Sequence, residues 1–240
     1  CFGNPEKPEQ FHDFKEAVKG IKDAASKISY YKTKNPVPIV SGNVSFYNES
    51  KKGKAIDPSP IIACVGIMKD YSKAIDMKLK KENSILLLIG NRKDELGGSV
   101  YYEINNELGK NVPEIDFEEN KSMIYGIIDS INESLILSCH DISDGGMFTT
   151  LSEMILGGDA SGKLGIELNF NYPNLRNDKI LFSESPGFVI EVEKNNFKKV
   201  QSIFKKYRLF AHKLGKTTKN NSLKIINKNK IIIDLNIDKL

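Results

Sequence analysis

Hydrophobic positions in residues 84–240 alternate between short continuous runs and helical stripes. The clearest run is SILLLIG at residues 84–90, which ends at a glycine. Short apolar runs bounded by turn residues are typical of buried strands, whereas apolar positions three and four apart are typical of amphipathic helices. The pattern predicts strands at 84–90, 135–139, 164–170, 187–192 and 211–215, helices at 99–108, 118–133, 147–156 and 197–204, a flexible turn at 157–162, and a hairpin of 223–226 with 231–235.

The first 70 residues carry one helical stripe and two apolar runs. Residues 11–28 repeat apolar side chains at three- and four-residue intervals, which predicts one amphipathic helix. Residues 37–47 predict a strand interrupted by Ser-Gly-Asn, and residues 60–68 predict a buried strand. A polar, lysine-rich stretch at 69–83 indicates a domain boundary, with a surface hairpin or an intradomain linker as the alternative.

The order of these elements predicts the α/β (α+β) class, with a partial open-sheet domain followed by a complete α/β domain. The composition is that of a soluble globular protein, with 40% hydrophobic and 28% charged residues. The net charge of +4 is spread along the chain and does not favour a nucleic-acid partner. No apolar run approaches the roughly 20 residues that cross a bilayer, so no membrane partner is expected. Three cysteines without CxxC spacing are interpreted as buried apolar residues of a reducing compartment.

The interrupted strand at 37–47 holds the first candidate site. Gly42 removes a side chain where the backbone approaches a ligand closely or takes a positive φ. Asn43 offers an amide oxygen, a ligand type suited to Mg²⁺, and Ser45 would share its face in an extended chain. This combination suits a Mg-bound phosphate group. Spacing alone favours the alternative, an ordinary strand with a bulge at the glycine.

Three further stretches are polar enough to be sites. Residues 94–99, DELGGS, predict either a phosphate cradle at a helix start or a structural turn, and the turn is favoured. Residues 140–146, HDISDGG, suit a metal or acid–base site, but Ser143 or Asp144 is also a good helix N-cap, and the structural role is favoured. Ser183 and Glu184 are interpreted as packing or interdomain hydrogen-bonding groups.

Four segments carry a family resemblance. FGNPEKP at 2–8, VSGNVSFYNE at 40–49, DELGGS and HDISDGG resemble, in order, signatures of the synthetase subunit of phosphoribosylformylglycinamidine synthase. That enzyme belongs to the superfamily of aminoimidazole ribonucleotide synthetase. In the family the first segment falls far along the polypeptide, so the resemblance implies the C-terminal portion of a longer enzyme. Residues 1–70 would complete a nucleotide-binding N-terminal domain, and residues 71–240 would form the synthetase-like C-terminal domain.

The resemblance implies an ATP-dependent carbon–nitrogen ligase of cytoplasmic purine biosynthesis. Such an enzyme converts formylglycinamide ribonucleotide, ATP and glutamine-derived ammonia to formylglycinamidine ribonucleotide, with ATP and Mg²⁺ as cofactors. By similarity, Gly42 contacts ATP, Asn43 ligates Mg²⁺ and Ser45 hydrogen-bonds the ribonucleotide; no catalytic residue is assigned. The implied partners are the missing N-terminal half, a glutaminase subunit and a small bridging subunit. We expect the chain to be inactive alone.

Three alternatives stay open. The chain can belong to a related synthetase or kinase of the superfamily, such as aminoimidazole ribonucleotide synthetase, with a different substrate. It can be a noncatalytic scaffold half that holds a structural nucleotide. It can also be a plain binding module without a nucleotide. A substrate panel, a copurifying ADP and a thermal shift with Mg-ATP discriminate among them.

Overall fold

The computed structural model describes residues 1–157, 164–172 and 174–239. The predicted turn at 157–162 lies, apart from Gly157, outside the described residues. The chain divides into two compact units, Cys1–Lys69 and Asp70–Leu240. Within the described ranges, no helix has the length and apolar character that crossing a membrane requires.

The first unit is built around helix α1, Pro8–Lys27. Proline fits the first turn of a helix, where its missing N–H would have no partner. The helix predicted at 11–28 is confirmed, but its apolar stripe is only partly covered. No residue of α1 is buried, and Phe11 and Val18 are 52% and 48% exposed.

The strands predicted at 37–47 and 60–68 are wrong. Both stretches lie outside any sheet, and the one isolated β-bridge within residues 1–69 joins Glu49 and Ala55. Val40 is 90% exposed and Ile67 is 96% exposed. An apolar run indicates a tendency to be buried, but a strand forms only where a second strand satisfies its backbone N–H and C=O groups. Residues 1–69 provide no such partner.

The second unit is organised by one seven-stranded sheet with the order β2-β4-β1-β5-β3-β6-β7. Neighbouring strands are antiparallel except for the parallel pair β3 and β6. The α/β class is confirmed, as is every strand predicted beyond residue 84. The strands are β1 Ile85–Ile89, β2 Ile136–Asp141, β3 Gly165–Phe170, β4 Phe188–Val192, β5 Ala211–Thr218, β6 Ser222–Asn227 and β7 Lys230–Asn236.

In the described part of the second unit, five α-helices accompany the sheet, and one is shorter than predicted. The helix expected over 99–108 ends at Ile104, because the chain turns back with Asn106 and Gly109 at φ values of 57° and 70°. The N–H of Glu107 closes this turn on the carbonyl oxygen of Tyr102. The helix at 177–182 was not predicted. The five are α2 Val100–Ile104, α3 Phe117–Asn132, α4 Gly146–Leu156, α5 Asn177–Phe182 and α6 Phe197–Lys206.

Strand β1 is buried on both faces, which explains its continuous apolar run. Leu86 and Leu88 join a core cluster with residues of α4 and α5, while Ile85, Leu87 and Ile89 join a second cluster with residues of α3 and α6. Residues 86–89 are all fully buried. Ile89 and Asp141, near the ends of β1 and β2, both pair with Phe188 at the start of β4. The loops that follow β1 and β2 and the loop that precedes β4 therefore lie at the same end of these three strands.

Candidate functional site

The predicted site residues Gly42, Asn43 and Ser45 lie on the surface of the first unit, and all three are exposed. The φ of Gly42 is not in the left-handed region, and a Cβ placed there would meet no described atom within 4 Å. Neither the backbone conformation nor a neighbouring residue therefore requires glycine at this position. A close approach by a bound molecule stays a prediction.

The segment that contains Ser45 is fixed by the start of the chain. The N–H of Phe2 donates to the carbonyl oxygen of Ser45 at 2.9 Å, and the N–H of Tyr47 donates to that of Gly3 at 3.1 Å. The side-chain amide of Asn48 donates to the carbonyl oxygens of Phe2 and Ser45, each at 3.0 Å. It also contacts the Ser45 hydroxyl at 3.1 Å. The sequence signatures at 2–8 and 40–49 thus form one hydrogen-bonded structure.

An aromatic cluster packs against the segment that contains Ser45. Phe46 packs against Phe14 of α1 with ring centroids 5.0 Å apart, and Phe2 packs against Phe14 at 5.3 Å. Phe2 is only 6% exposed. Edge-to-face ring pairs contribute about 0.5–1.5 kcal/mol beyond the area that they bury. The cluster fixes the backbone between two exposed polar residues, Ser45 and Tyr47.

A charged pair closes the far end of this structure. Lys7 Nζ lies 2.8 Å from Glu49 Oε1, which also accepts from the N–H of Asn4 at 3.2 Å. The hydrogen bond from Lys7, followed by that from Asn4, holds the pKa of Glu49 below its usual value. Sequence reasoning missed this pairing. The only signal for it was the opposite charge of two residues in two signatures far apart in the chain.

In the second unit, Glu184 binds the loops of the other two signatures together. Its Oε1 accepts from the N–H groups of Val100 and Gly145, each at 2.9 Å. The Glu184 carboxylate thus occupies the position in which a phosphate-binding loop would hold the phosphate of a ligand. The preceding N–H groups are also engaged, those of Gly97, Gly98 and Ser99 with the carbonyl oxygens of Asn111, Leu108 and Leu96. The geometry supports the structural turn.

The N-cap expected at Ser143 or Asp144 is wrong. Helix α4 begins after Gly145, which takes a left-handed φ of 77° and provides no side-chain cap. The next residue, Gly146, also has a positive φ, and a Cβ there would lie 2.7 Å from the carbonyl oxygen of Leu181. Glycine at 146 is therefore required by close packing against the end of α5.

His140 links the end of β2 to α4. Its Nε2 lies 2.8 Å from Glu153 Oε2, and its Nδ1 lies 3.1 Å from Asp141 Oδ1. Across the described ranges, no group of three or more His, Cys, Asp and Glu side chains is arranged to hold a metal ion. The contact between His140 and Glu153 fits the architectural interpretation of the HDISDGG signature.

The loop that contains Ser183 and Glu184 is held by a buried arginine that sequence reasoning did not single out. Arg92, 5% exposed, donates to the carbonyl oxygens of Ser183 at 3.0 Å and Ser185 at 2.6 Å. Desolvation lowers the pKa of Arg92 to about 10, which leaves the guanidinium charged at neutral pH. The Ser185 hydroxyl donates to Glu95 at 2.5 Å. These hydrogen bonds lie within the second unit.

The expectation of buried cysteines is wrong for two of the three. Cys1 and Cys64 are exposed, because they lie in the first unit where few side chains are covered. Burial raises the pKa of Cys139 to about 12, so that its thiol is protonated at neutral pH. A thiol in this state is a poor nucleophile.

Residues 81–228 match the family described as AIR synthase related protein, C-terminal domain. The chain belongs to this family. The match includes the sheet of the second unit from β1 to β6, together with the Arg92 and Glu184 contacts. The resemblance noted in the sequence is thereby confirmed for the second unit, and Arg92 and Glu184 lie within the matched residues.

Curated relatives extend the similarity to the first unit. The chain is 50% identical over 216 residues to the phosphoribosylformylglycinamidine synthase subunit PurL of Methanothrix thermoacetophila, covering 89% of this chain and 28% of that protein. It is 36% identical over 241 residues to the PurL of Thermoanaerobacter sp., covering 100% of this chain and 31% of the relative. The chain spans about three-tenths of the length of these relatives.

Solved structures agree on the fold. A Thermotoga maritima PurL complexed with FGAR matches with a TM-score of 0.61 and 16% identity, over 70% of this chain and 29% of that chain. A T. maritima PurL complexed with ATP matches with a TM-score of 0.55 and 17% identity, over 70% of this chain and 27% of that chain. At this identity the similarity shows the fold alone.

Proposed function

We propose that this chain contributes to an ATP-dependent carbon–nitrogen ligase of purine biosynthesis. The reaction converts formylglycinamide ribonucleotide, ATP and ammonia to formylglycinamidine ribonucleotide. The observation that carries the proposal is the 50% identity to a PurL subunit over 89% of this chain. Structural relatives crystallised with FGAR and with ATP support the two substrates.

We assign Gly42 to ATP, Asn43 to Mg²⁺ and Ser45 to the ribonucleotide. Three observations support these roles. The residues are exposed, so a ligand can reach them. The carbonyl oxygen of Ser45 is fixed by Phe2 and Asn48, which limits the entropy lost when a ligand binds. The space above Gly42 is open, so a phosphate group can approach its backbone.

The donor set of the chain fits Mg²⁺ only as part of a coordination sphere. Asn43 supplies one neutral amide oxygen, whereas Mg²⁺ takes six oxygen ligands and usually keeps several waters and substrate phosphates among them. The metal would supply neutralisation of phosphate charge as the phosphoryl group is transferred. Asn43 would hold the ion against the first unit, and the other ligands would come from ATP, water and the rest of the enzyme.

The proposed chemistry has two steps. The amide oxygen of the ribonucleotide attacks the γ-phosphorus of ATP, ADP leaves and the amide N–H proton is lost to solvent, which gives an iminophosphate. Ammonia then adds to the former amide carbon, and inorganic phosphate leaves with the electrons of the C–O bond. In this scheme Gly42 and Ser45 bind and orient the two substrates, and no proton transfer is assigned to this chain.

The proposed partners follow from the same chemistry. Ammonia comes from glutamine in a glutaminase subunit, joined through a small bridging subunit, and further residues of the synthetase complete the active site. The structure of PurLQS from T. maritima supports an assembly of PurL with other subunits. We place the reaction in the cytoplasm, where ATP and Mg²⁺ are supplied. Residues 1–70 belong in this view to a nucleotide-binding domain, and residues 71–240 to the synthetase-like C-terminal domain.

A substrate panel on the native polypeptide that carries this sequence tests the function. ADP formation should require formylglycinamide ribonucleotide and ammonia together, and should not be supported by formylglycinamidine ribonucleotide, the substrate of aminoimidazole ribonucleotide synthetase. The opposite preference would overturn the assignment within the superfamily. ADP that copurifies and does not exchange, without turnover of either ribonucleotide, would replace the enzyme by a scaffold. The 240-residue chain by itself should show no turnover.

A further inference from the structure

A groove in the second unit lies outside every residue assigned above. It has a volume of about 640 Å³ and forms where β1 ends at Gly90, beside the start of α3 and the loop from α6 to β5. One wall is basic and aromatic and comes from residues 206–212. The other wall is acidic and comes from residues 116–119.

The basic wall presents two cations that the chain itself does not neutralise. Within the described part of the chain, neither Lys206 nor Arg208 has an ion-pair or side-chain hydrogen-bond partner. Arg208 has a φ of 60°, in the left-handed position that usually follows a helix and usually holds glycine. The N–H groups of Arg208 and Leu209 bond the carbonyl oxygens of Lys205 and Phe204, which closes the helix end. The chain thus places an arginine in a backbone conformation that favours glycine.

An exposed aromatic ring lies next to these cations. Phe210 is 76% exposed, and its ring centroid is 6.1 Å from that of His212. Burial lowers the pKa of His212, so the imidazole is neutral at pH 7. The exposed Phe210 ring is an uncharged aromatic surface that can stack against a planar group.

On the acidic wall, one carboxylate is left for a ligand. Asp116 caps α3 by accepting from the N–H groups of Glu118 and Glu119 at 2.9 and 3.0 Å. The Glu118 carboxylate pairs with Lys121 at 2.6 Å. Among the residues that the structure describes, Glu119 has only a long contact of 3.5 Å, with the side-chain amide of Asn91. Glu119 and Asn91 are therefore free to accept from and donate to a bound molecule.

We propose that this groove binds a nucleoside monophosphate. The phosphate would lie between Lys206 and Arg208, the base would stack on Phe210, and ring N–H or amino groups would donate to Glu119. Opposite charges on the two walls exclude simpler ligands. Glu119 and its acidic neighbours repel a bare anion, and the two cations repel a bare cation. A phosphate joined to a ring that carries N–H donors matches both walls. This site is independent of the proposed function, because it shares no residue with 42–45.

Calorimetry with the whole 240-residue chain tests the proposal, with AMP, GMP, ribose 5-phosphate and adenosine as probes. We expect AMP or GMP to bind with a Kd below about 1 mM. Ribose 5-phosphate and adenosine, which each lack one part of the nucleotide, should bind at least about tenfold more weakly. Absence of binding by both nucleotides, or equal binding of ribose 5-phosphate, overturns the proposal.

Variants locate the binding. Arg208→Gly removes the cation and suits the left-handed backbone, so the variant should fold, and it should weaken binding about tenfold. Lys198→Ala is the matched control, because Lys198 is an exposed lysine of α6 outside the groove, and it should leave the Kd unchanged. Asn43→Ala tests whether the nucleotide binds at residues 42–45 instead of in the groove. Loss of binding in Asn43→Ala with unchanged binding in Arg208→Gly would place the nucleotide at residues 42–45 and overturn the groove assignment.

Discussion

The N–H of Phe2 donates a 2.9 Å hydrogen bond to the carbonyl oxygen of Ser45. This contact joins the two signatures of the first unit. The first signature positions the second, and the second carries the exposed polar residues. The site that we propose at residues 42–45 therefore depends on residues that contact no ligand themselves.

Asn48→Ala should loosen the candidate site without unfolding the second unit. The Asn48 amide donates to Phe2 and Ser45, and loss of bonds worth about 1 kcal/mol each should speed local opening several-fold. Hydrogen exchange of the Ser45–Asn48 amides measures this change. Asn35→Ala, a substitution at an exposed residue of the same unit, should leave these rates unchanged. Equal protection in the two variants would show that Asn48 does not hold the segment.

The Glu49–Lys7 pair should make the first unit sensitive to acid. The pKa of Glu49 is lowered in the folded state, so its stabilising contribution is present above the ordinary glutamate pKa and is lost as the pH falls through the lowered value. Order around Glu49, followed by NMR, should therefore decrease below about pH 4.5. In Glu49→Gln this contribution to the pH dependence should disappear. An identical acid profile in both proteins would contradict the role of the pair.

Glu184→Ala should destabilise the second unit by about 1–3 kcal/mol, because it leaves the N–H groups of Val100 and Gly145 without their acceptor. Urea unfolding followed by circular dichroism measures the change. Glu103→Ala, at an exposed position on α2, should change the free energy of unfolding by less than about 0.5 kcal/mol. Glu184→Gln retains an acceptor oxygen and should fall between the two. An effect of Glu184→Ala as small as that of the control would show that the loops do not depend on this carboxylate.

Glu191→Ala should be the more damaging change, at about 3–4 kcal/mol, because four buried or half-buried donors lose their acceptor. Glu191 is fully buried in β4. Its carboxylate accepts from the N–H groups of Lys80 and Lys81 and from the hydroxyls of Ser84 and Ser138. Glu193→Ala removes only a surface ion pair with Lys81 and should cost less than about 1 kcal/mol. Similar midpoints for the two variants in urea would be inconsistent with a structural role for Glu191.

The sheet of the second unit was predictable because its strands carry their own signal. Residues 85–89 are apolar without interruption, and the structure buries them on both faces. Helix α3 was predictable for a similar reason, since its apolar stripe faces the core and Asp116 caps its start. Where an element is buried through its own apolar positions, the pattern of those positions in the sequence is enough to predict the element.

Two kinds of feature were not predictable from the pattern. The runs at 37–47 and 60–68 are as apolar as true strands, but apolarity does not identify a partner strand, and residues 1–69 contain none. The contacts of Arg92 and Glu184 join loops far apart in the sequence, so no local spacing reveals them. Gly42 and Asn43 were found through resemblance to a family. Their spacing alone favoured an ordinary strand.

The most direct test of the account is the Mg²⁺ dependence of ADP formation by the native polypeptide that carries this sequence. Wild type, Asn43→Ala and the exposed control Asn35→Ala are compared at saturating formylglycinamide ribonucleotide and ammonia. If Asn43 supplies a ligand to the metal, its loss should raise the Mg²⁺ concentration for half-maximal activity about tenfold, while thermal stability and the control stay unchanged. The same half-maximal Mg²⁺ concentration in all three proteins would contradict the assignment of residues 42–45 as a site for Mg-ATP.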